Sequence, residues 1–254
     1  MESFDRKTVL VTGASTGIGR ALAMELAGRG ASLGLFARRK EELEAVAQAV
    51  RHRGAGDALA LPGDVRNPED LRGAVGRLVD QWGSVDAAVL SAGVGRPAHF
   101  KRFELDRIRE TIEINLLGVV NGAWALLPVF RGQGGGLLVG ISSVADRRGS
   151  PLNLAYCASK AGVSVFLEGL RAGCRKENIR VVTVKPGFVR TAMTEKNRIP
   201  MPFILDADEA ARRIVRGIEK GKRVIRFPWP LVWLVSIYNL LPAGLYDRLF
   251  GRAG

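Results

Sequence analysis

Residues 8–27 read Thr8-Val9-Leu10-Val11-Thr12-Gly13-Ala14-Ser15-Thr16-Gly17-Ile18-Gly19-Arg20-Ala21-Leu22-Ala23-Met24-Glu25-Leu26-Ala27. The first five form a short β-branched apolar run, which predicts a buried strand. The last eight are strong helix formers. Between them lie three glycines in the spacing G-x-x-x-G-x-G. Such a turn lets the backbone approach a pyrophosphate closely. The helix that follows offers unpaired N–H groups and the positive end of its dipole. Gly13, Ser15, Thr16, Gly17, Ile18 and Gly19 are therefore the first candidate cofactor contacts. A turn that is merely tight has no need to sit between a strand and a helix.

Ser32 to Ala37 reads as the second strand and runs into Arg38-Arg39-Lys40. In a unit of this kind the residue roughly twenty positions after the glycines selects the cofactor. An acid there binds a ribose 2′-hydroxyl, and arginine accommodates a 2′-phosphate. This chain has no acid at that place, so Arg38 and Arg39 predict NADP(H). Further strands are expected at 57–62, 87–90, 136–141, 180–185 and 223–227. The first four deliver Asp64 and Val65, Ser91-Ala92-Gly93, Ser142 and Ser143, and Pro186-Gly187 to loops. Helices fill the intervals. One opens with Asn67 as N-cap and Pro68 in the first turn. A long one covers about 106–130 and carries Asn115, a polar side chain that needs a partner on a largely covered helix. Strands alternating with helices predict an α/β fold, a doubly wound parallel sheet of about seven strands with helices on both faces. Ligands bind at the carboxyl ends of such strands, where the singled-out residues lie.

Ser143 to Lys160 carries the chemistry. Tyr156 and Lys160 are four apart in a helical segment and so share one helix face. A free phenol titrates near ~10, and a neighbouring cation lowers that value toward the range useful for acid–base work. Ser143, thirteen residues earlier, can present its hydroxyl to the same volume. Tyr-x-x-x-Lys alone is a cheap pattern; its place after the fifth strand is what gives it weight.

The 254 residues, 47% hydrophobic and 25% charged, suffice for one large α/β domain. Cys157 and Cys174 have no ligand or C-x-x-C spacing, which fits a reducing, cytoplasmic setting. His52 and His99 are too few and too scattered for a metal site, so none is expected. The net charge is +13, but no basic run reaches five residues, so an anionic cofactor or a negatively charged lipid surface is expected rather than nucleic acid. The N-terminus has no apolar core of the signal-peptide kind.

Residues 188–207 are interrupted by prolines, lack periodicity and read as a substrate lid over the cofactor. The lid is rich in apolar side chains, among them Phe188, Met193, Ile199, Met201 and Phe203. Residues 1–227 are expected to form the dinucleotide-binding and catalytic domain, with 228–254 as an apolar extension. The run from Trp229 to Leu241 is too short to span a bilayer, which takes ~20 residues. Three readings stay open for it: packing on its own domain or a partner subunit, walling the substrate pocket, or lying in a membrane interface, with peripheral contact through 229–250.

Taken together, Thr12-Gly13-x-x-x-Gly17-Ile18-Gly19, Asp64, Ala92-Gly93, Asn115, Ser143, Tyr156-x-x-x-Lys160 and Pro186-Gly187 with Thr191 resemble the short-chain dehydrogenase/reductase family, from about Lys7 to Phe227. The resemblance implies a single Rossmann-type sheet and assigns roles by position. Tyr156 would be the acid–base, and Lys160 would tune it and hold the nicotinamide ribose. Ser143, rather than its rival Ser142, would bind the substrate oxygen, and Asn115 would hold a water in the proton relay. Asp64 would contact the adenine, with Val65 beside it. Ala92, Gly93, Pro186, Gly187, Val189 and Thr191 would line the cofactor. The family's usual Asn-Ala-Gly is Ser91-Ala92-Gly93 here; that asparagine mainly steadies the sheet, so activity is expected to survive the change. A homodimer or homotetramer through the helices near 106–130 and 155–175 is implied as well.

The expected function is NADP(H)-dependent interconversion of a carbonyl and a secondary alcohol on an apolar small molecule that is lipid-, steroid- or acyl-like. Two other readings share the fold. One is a nucleotide-sensing or scaffold protein without turnover, which the presence of Tyr156, Lys160 and Ser143 together argues against. The other is a membrane-surface lipid reductase anchored by the tail.

Overall fold

Apolar runs too short for helices pair side by side, and the amphipathic segments between them cover both faces of the resulting sheet. The computed structural model describes residues 3–95, 100–101, 103–195 and 200–250, the side chain of Phe250 apart. His99, Ile199 and the lid stretch 196–199 lie outside the described residues. In order, the chain forms β1 (Thr8–Thr12), α1 (Gly17–Ala27), β2 (Ser32–Ala37), α2 (Lys40–His52), β3 (Ala58–Pro62), α3 (Pro68–Trp82) and β4 (Ala87–Leu90). It continues with α4 (Leu105–Ile112), a π-helical turn (Glu113–Leu117), α5 (Gly118–Gly132), β5 (Gly136–Ile141), α6 (Leu154–Gly173) and β6 (Ile179–Pro186). The last part holds β7 (Val189–Arg190), α7 (Ala192–Glu195), β8 (Leu205–Asp206), α8 (Ala207–Glu219), β9 (Val224–Phe227), α9 (Trp229–Leu240) and α10 (Ala243–Phe250).

Seven strands make one parallel sheet in the order β3-β2-β1-β4-β5-β6-β9. The order reverses between β1 and β4, and the register pairs Thr12 with both Phe36 and Leu90. The crevice that binds ligands in open α/β sheets opens at that reversal. Leu22, Leu26, Val46 and Ile214 belong to a core on one face, which buries α1, α2 and α8. Leu71, Leu78, Leu126 and Leu167 belong to the core on the other, under α3, α5 and α6. Asn67 caps α3 as its sequence foretells, accepting from the Glu69 amide at 3.1 Å, with Pro68 in the first turn.

Two segments differ from the sequence reading. The helix expected over about 106–130 is not one α-helix: α4 and α5 are joined by the π turn, which contains Asn115. Insertions of this kind are frequent at functional sites. By length and composition alone the 28-residue rod from Leu105 to Gly132 could cross a membrane, but it packs on the sheet between α3 and α6. The lid is also more structured than its composition suggests. β7 and β8 pair in parallel, and α7 lies between them.

Candidate active site

The carboxyl ends of the strands and the first turns of the helices enclose a cleft of about 850 Å³. One end is the glycine turn. Gly13 adopts φ +67 and Gly17 φ +56, a region side chains disfavour. A Cβ on Gly13 would sit 2.8 Å from the Ala92 Cα, and one on Gly19 would overlap the Gly13 carbonyl oxygen. No side chain caps the first turn of α1, so its amides face the cleft. Thr12 ties this turn to β4: its hydroxyl oxygen accepts from the amides of Ser91 (3.0 Å) and Ala92 (3.2 Å). The Ser91 hydroxyl returns a bond to the Thr12 carbonyl at 2.5 Å. The serine that departs from the family pattern thus still links the two central strands.

Arg38 and Arg39 are exposed at the rim of this end. Arg39 reaches over the turn to the Ser15 hydroxyl at 3.3 Å and pairs with Glu42. Asp64 and Val65 line the cleft opposite Arg38. The Asp64 carboxylate accepts from the Arg66 guanidinium at 2.6 and 3.0 Å, and that bond holds its carboxyl below the usual carboxylate range.

The other end holds the residues of β5 and α6. Tyr156, Lys160 and Ser143 all line it, beside Gly93 and Gly187. The Lys160 Nζ lies 5.8 Å from the centre of the Tyr156 ring and donates to the Ile141 carbonyl at 2.9 Å. Ser142 turns away; its hydroxyl donates to the Lys160 carbonyl at 2.9 Å and lies 2.8 Å from that of Ser164. Asn115 is wholly buried. Its Oδ1 accepts from the Val94 amide at 2.8 Å, and its Nδ2 donates to the Val94 carbonyl and the Ser159 hydroxyl, each at 3.0 Å. Both amide hydrogens are spent on protein atoms, so the side chain acts first as a clip that holds the 93–95 loop.

The electrostatics of the cleft reverse one expectation. Tyr156 is not acidified: burial pushes its phenol up, and the Ser143 hydroxyl beside it offsets only part of that. Lys160 bears the cost of burial, which lowers its ammonium to about 8. The amine is directed at Ile141, so its charge does little for the phenol in the cofactor-free cleft. A stability signature follows. Below pH 8 the ammonium is charged in both states, and its burial penalty is fully present. Between pH 8 and 10 the unfolded chain holds this proton and the folded chain has lost it. Stability of the cofactor-free protein therefore rises across that window, approaching a gain of about 3 kcal/mol. Urea unfolding at stepped pH measures the rise, and Lys160→Met is expected to abolish it.

Asp146, Arg148 and Tyr246 were not read from the sequence, which keeps three readings of the tail open. Asp146 (8% exposed) accepts from Ser164 of α6 and pairs with Lys185 of β6. The C-terminal helix α9 walls the Ser143 and Tyr156 end through Leu231, Val235, Tyr238 and Asn239 and buries Leu231 on its own domain, in line with both the packing and the pocket-wall readings of the tail. Leu231 packs so closely on Gly187 that a Cβ there would overlap it. Arg148 fastens the arrangement: it donates to the carbonyls of Leu241 (2.7 Å) and Tyr238 (3.1 Å) and stacks 4.4 Å from the Tyr246 ring. The Tyr246 hydroxyl closes the loop on the Gly149 carbonyl at 2.7 Å. The apolar spacing of α9 hinted at burial, but which surface it would cover was not written in it.

Residues 7–201 match a family model described as short chain dehydrogenase. An uncharacterised oxidoreductase of Myxococcus xanthus (strain DK1622) is 35% identical over 252 residues, 99% of each chain. A protein of Arabidopsis thaliana named 11-beta-hydroxysteroid dehydrogenase-like 3 is 35% identical, over 95% of this chain and 79% of its own. The crystal structure of a short chain dehydrogenase/reductase from Burkholderia phymatum in complex with NAD superposes with a TM-score of 0.86. It covers 93% of this chain and 94% of that one at 23% identity, a likeness of fold.

Proposed function

This chain belongs to the short-chain dehydrogenase family, and from that premise we propose that it is an NADP(H)-dependent oxidoreductase interconverting a carbonyl and a secondary alcohol on an apolar substrate. The observation that carries this reading is the union of two ends in one cleft. A glycine cradle with two arginines at its rim faces Ser143, Tyr156 and Lys160 across a continuous space. A nicotinamide dinucleotide fits the residues present. Gly13 and Gly19 leave room where a side chain would intrude, and the uncapped start of α1 suits a pyrophosphate. Arg38 and Arg39 would take a 2′-phosphate, Asp64 and Val65 would flank the adenine, and Gly187, Val189 and Thr191 would lie along the nicotinamide.

When bound, the dinucleotide supplies or accepts the hydride. The chain's own groups do the rest. Ser143 donates a hydrogen bond to the substrate oxygen and fixes its position. Tyr156 delivers a proton to that oxygen as negative charge develops, and takes it back in the oxidative direction. The raised phenol suits the donor role, since the group stays protonated at neutral pH. Lys160 would hold the nicotinamide ribose, and its positive charge reaches the phenol only when the amine leaves the Ile141 carbonyl. Asn115 keeps the 93–95 loop in register with α6.

An apolar substrate is supported by Leu231, Val235 and Met193 in the cleft wall, and by the steroid name that the Arabidopsis relative bears. Self-association is supported by the exposed Trp124 on α5 and Val165 on α6. Two buried cysteines without a disulfide accord with a cytoplasmic setting. The decisive experiment is an NADPH-oxidation screen over ketones, aldehydes, steroids and long-chain 3-oxo compounds. Turnover of at least one class is expected, with NADPH preferred to NADH. Replacing Arg38 and Arg39 together by alanine is expected to lower kcat/KM for NADPH about 10- to 100-fold and to leave that for NADH nearly unchanged. Native preference for NADH would overturn the cofactor assignment.

A further inference from the structure

Helix α9 is apolar on both faces, which a helix at the surface of a water-soluble domain is not. At 100° per residue, Leu231, Val235, Tyr238 and Asn239 fall on one side and line the cleft. Trp229, Trp233, Ile237 and Leu240 fall on the opposite side, and they are 74%, 67%, 52% and 82% exposed. Leu245 and Leu249 of α10 are exposed as well. A contiguous apolar face of this kind marks an interaction surface.

Its surroundings indicate what covers it. Arg226, exposed at the end of β9, and Arg147, exposed in the loop after β5, line a hollow with Val232, Ser236 and Asn239 along the flank of α9, where the one acid, Asp146, is already paired with Lys185. Arg248 is exposed on α10, and Asp247 is the one acid in α9 and α10. Two tryptophans four residues apart, an aliphatic face between them and arginines at the edge match the layering of a bilayer interface, where indoles sit at headgroup depth and cations meet anionic lipid. At 1.5 Å per residue the twelve residues of α9 reach about 18 Å, too short to span and suited to lying flat. The exposed apolar residues on α5 and α6 give self-association a separate surface.

We propose that the outer face of α9 docks this protein on an anionic phospholipid bilayer, with the cleft walled by its inner face opening at the lipid surface. An amphiphilic carbonyl compound dissolved in the bilayer then reaches Ser143 and Tyr156 without crossing water. The docking stands on the surface alone; the delivery of substrate rests on the function proposed above.

The test uses the full chain and a variant carrying Trp229→Ser, Trp233→Ser and Ile237→Ser. None of these side chains lines the cleft. Co-sedimentation is measured with phosphatidylcholine vesicles, with and without phosphatidylglycerol, at low and high salt. The full chain is expected to pellet with the anionic vesicles, less with neutral ones and less at high salt. The variant is expected to lose about tenfold or more of that partition. Brominated phospholipid gives a second measurement on the native chain: it is expected to quench part of the tryptophan emission. Absence of pelleting with anionic vesicles, absence of quenching, or equal pelleting of the variant overturns the proposal. So does a fall in oligomeric state of the variant by light scattering without lipid, since a second copy would then cover the face. If docking holds and no carbonyl compound is turned over, the proposed function has failed and the docking has not. With turnover in hand, the variant is expected to lose rate on a vesicle-borne ketone and to keep it on a short soluble one.

Discussion

Tyr156→Phe is expected to lower turnover by about 10²- to 10⁴-fold, the usual reach of a positioned proton donor. The ring remains, so its packing in the cleft and the start of α6 are unchanged. Ser143 still donates to the substrate oxygen, and the glycine cradle lies at the other end of the cleft. Loss should therefore fall on kcat, with NADPH affinity by fluorescence titration left as in the native chain. Steady-state rates on any substrate found in the screen decide the matter, and near-normal turnover would refute the role of the phenol. The buried Ser143 hydroxyl is too weak an acid to stand in for it. Lys160 could supply a proton only by moving, because its amine is bonded to the Ile141 carbonyl.

The second large effect concerns stability. Asp146→Ala is expected to cost about 1–3 kcal/mol, because it leaves the half-buried Lys185 ammonium without its counter-charge and removes the acceptor for Ser164. The Asp146 side chain is 4% exposed and that of Lys185 12%, and both border the hollow beside α9, through which water can reach a lone ammonium. The urea midpoint should fall with little change in slope. Pairing Asp146→Leu with Lys185→Met should recover much of the loss, since the desolvation cost of both charges goes with them. A single variant as stable as the native chain would show that the pair contributes nothing. The chain of contacts runs on through Ser164 and Ser142 to the carbonyl of Lys160, so the damage is expected to loosen α6 as well.

What the residue pattern revealed and what it hid have physical reasons. The buried runs at 8–12, 32–37, 87–90 and 136–141 announce parallel strands because both faces are covered and no polar alternation interrupts them. The glycine turn is equally legible: few residues tolerate what Gly13 and Gly19 must. The π turn at Asn115 left no such trace, since shifting one hydrogen-bond register does not alter the apolar spacing. Two-residue strands such as β7 and β8 fall below any period. Contacts between distant segments, Leu231 on Gly187 and Asp146 with Lys185, depend on the assembled sheet. The phenol's titration was misjudged for the same reason. An i,i+4 spacing brings Lys160 near Tyr156, but the carbonyl of Ile141 decides where the amine points.

The wall that α9 lends to the cleft stands apart from Ser143, Tyr156 and Lys160; among the described residues it meets the loop after β6 tightly where Leu231 packs on Gly187. Val235 and Asn239 can therefore diverge among descendants of this gene while Ser143, Tyr156 and Lys160 stay fixed. New preferences for the molecule consumed would arise by exchanging a single dozen-residue segment, with positions 231 and 238 held back by Gly187 and by Arg148 and Tyr246.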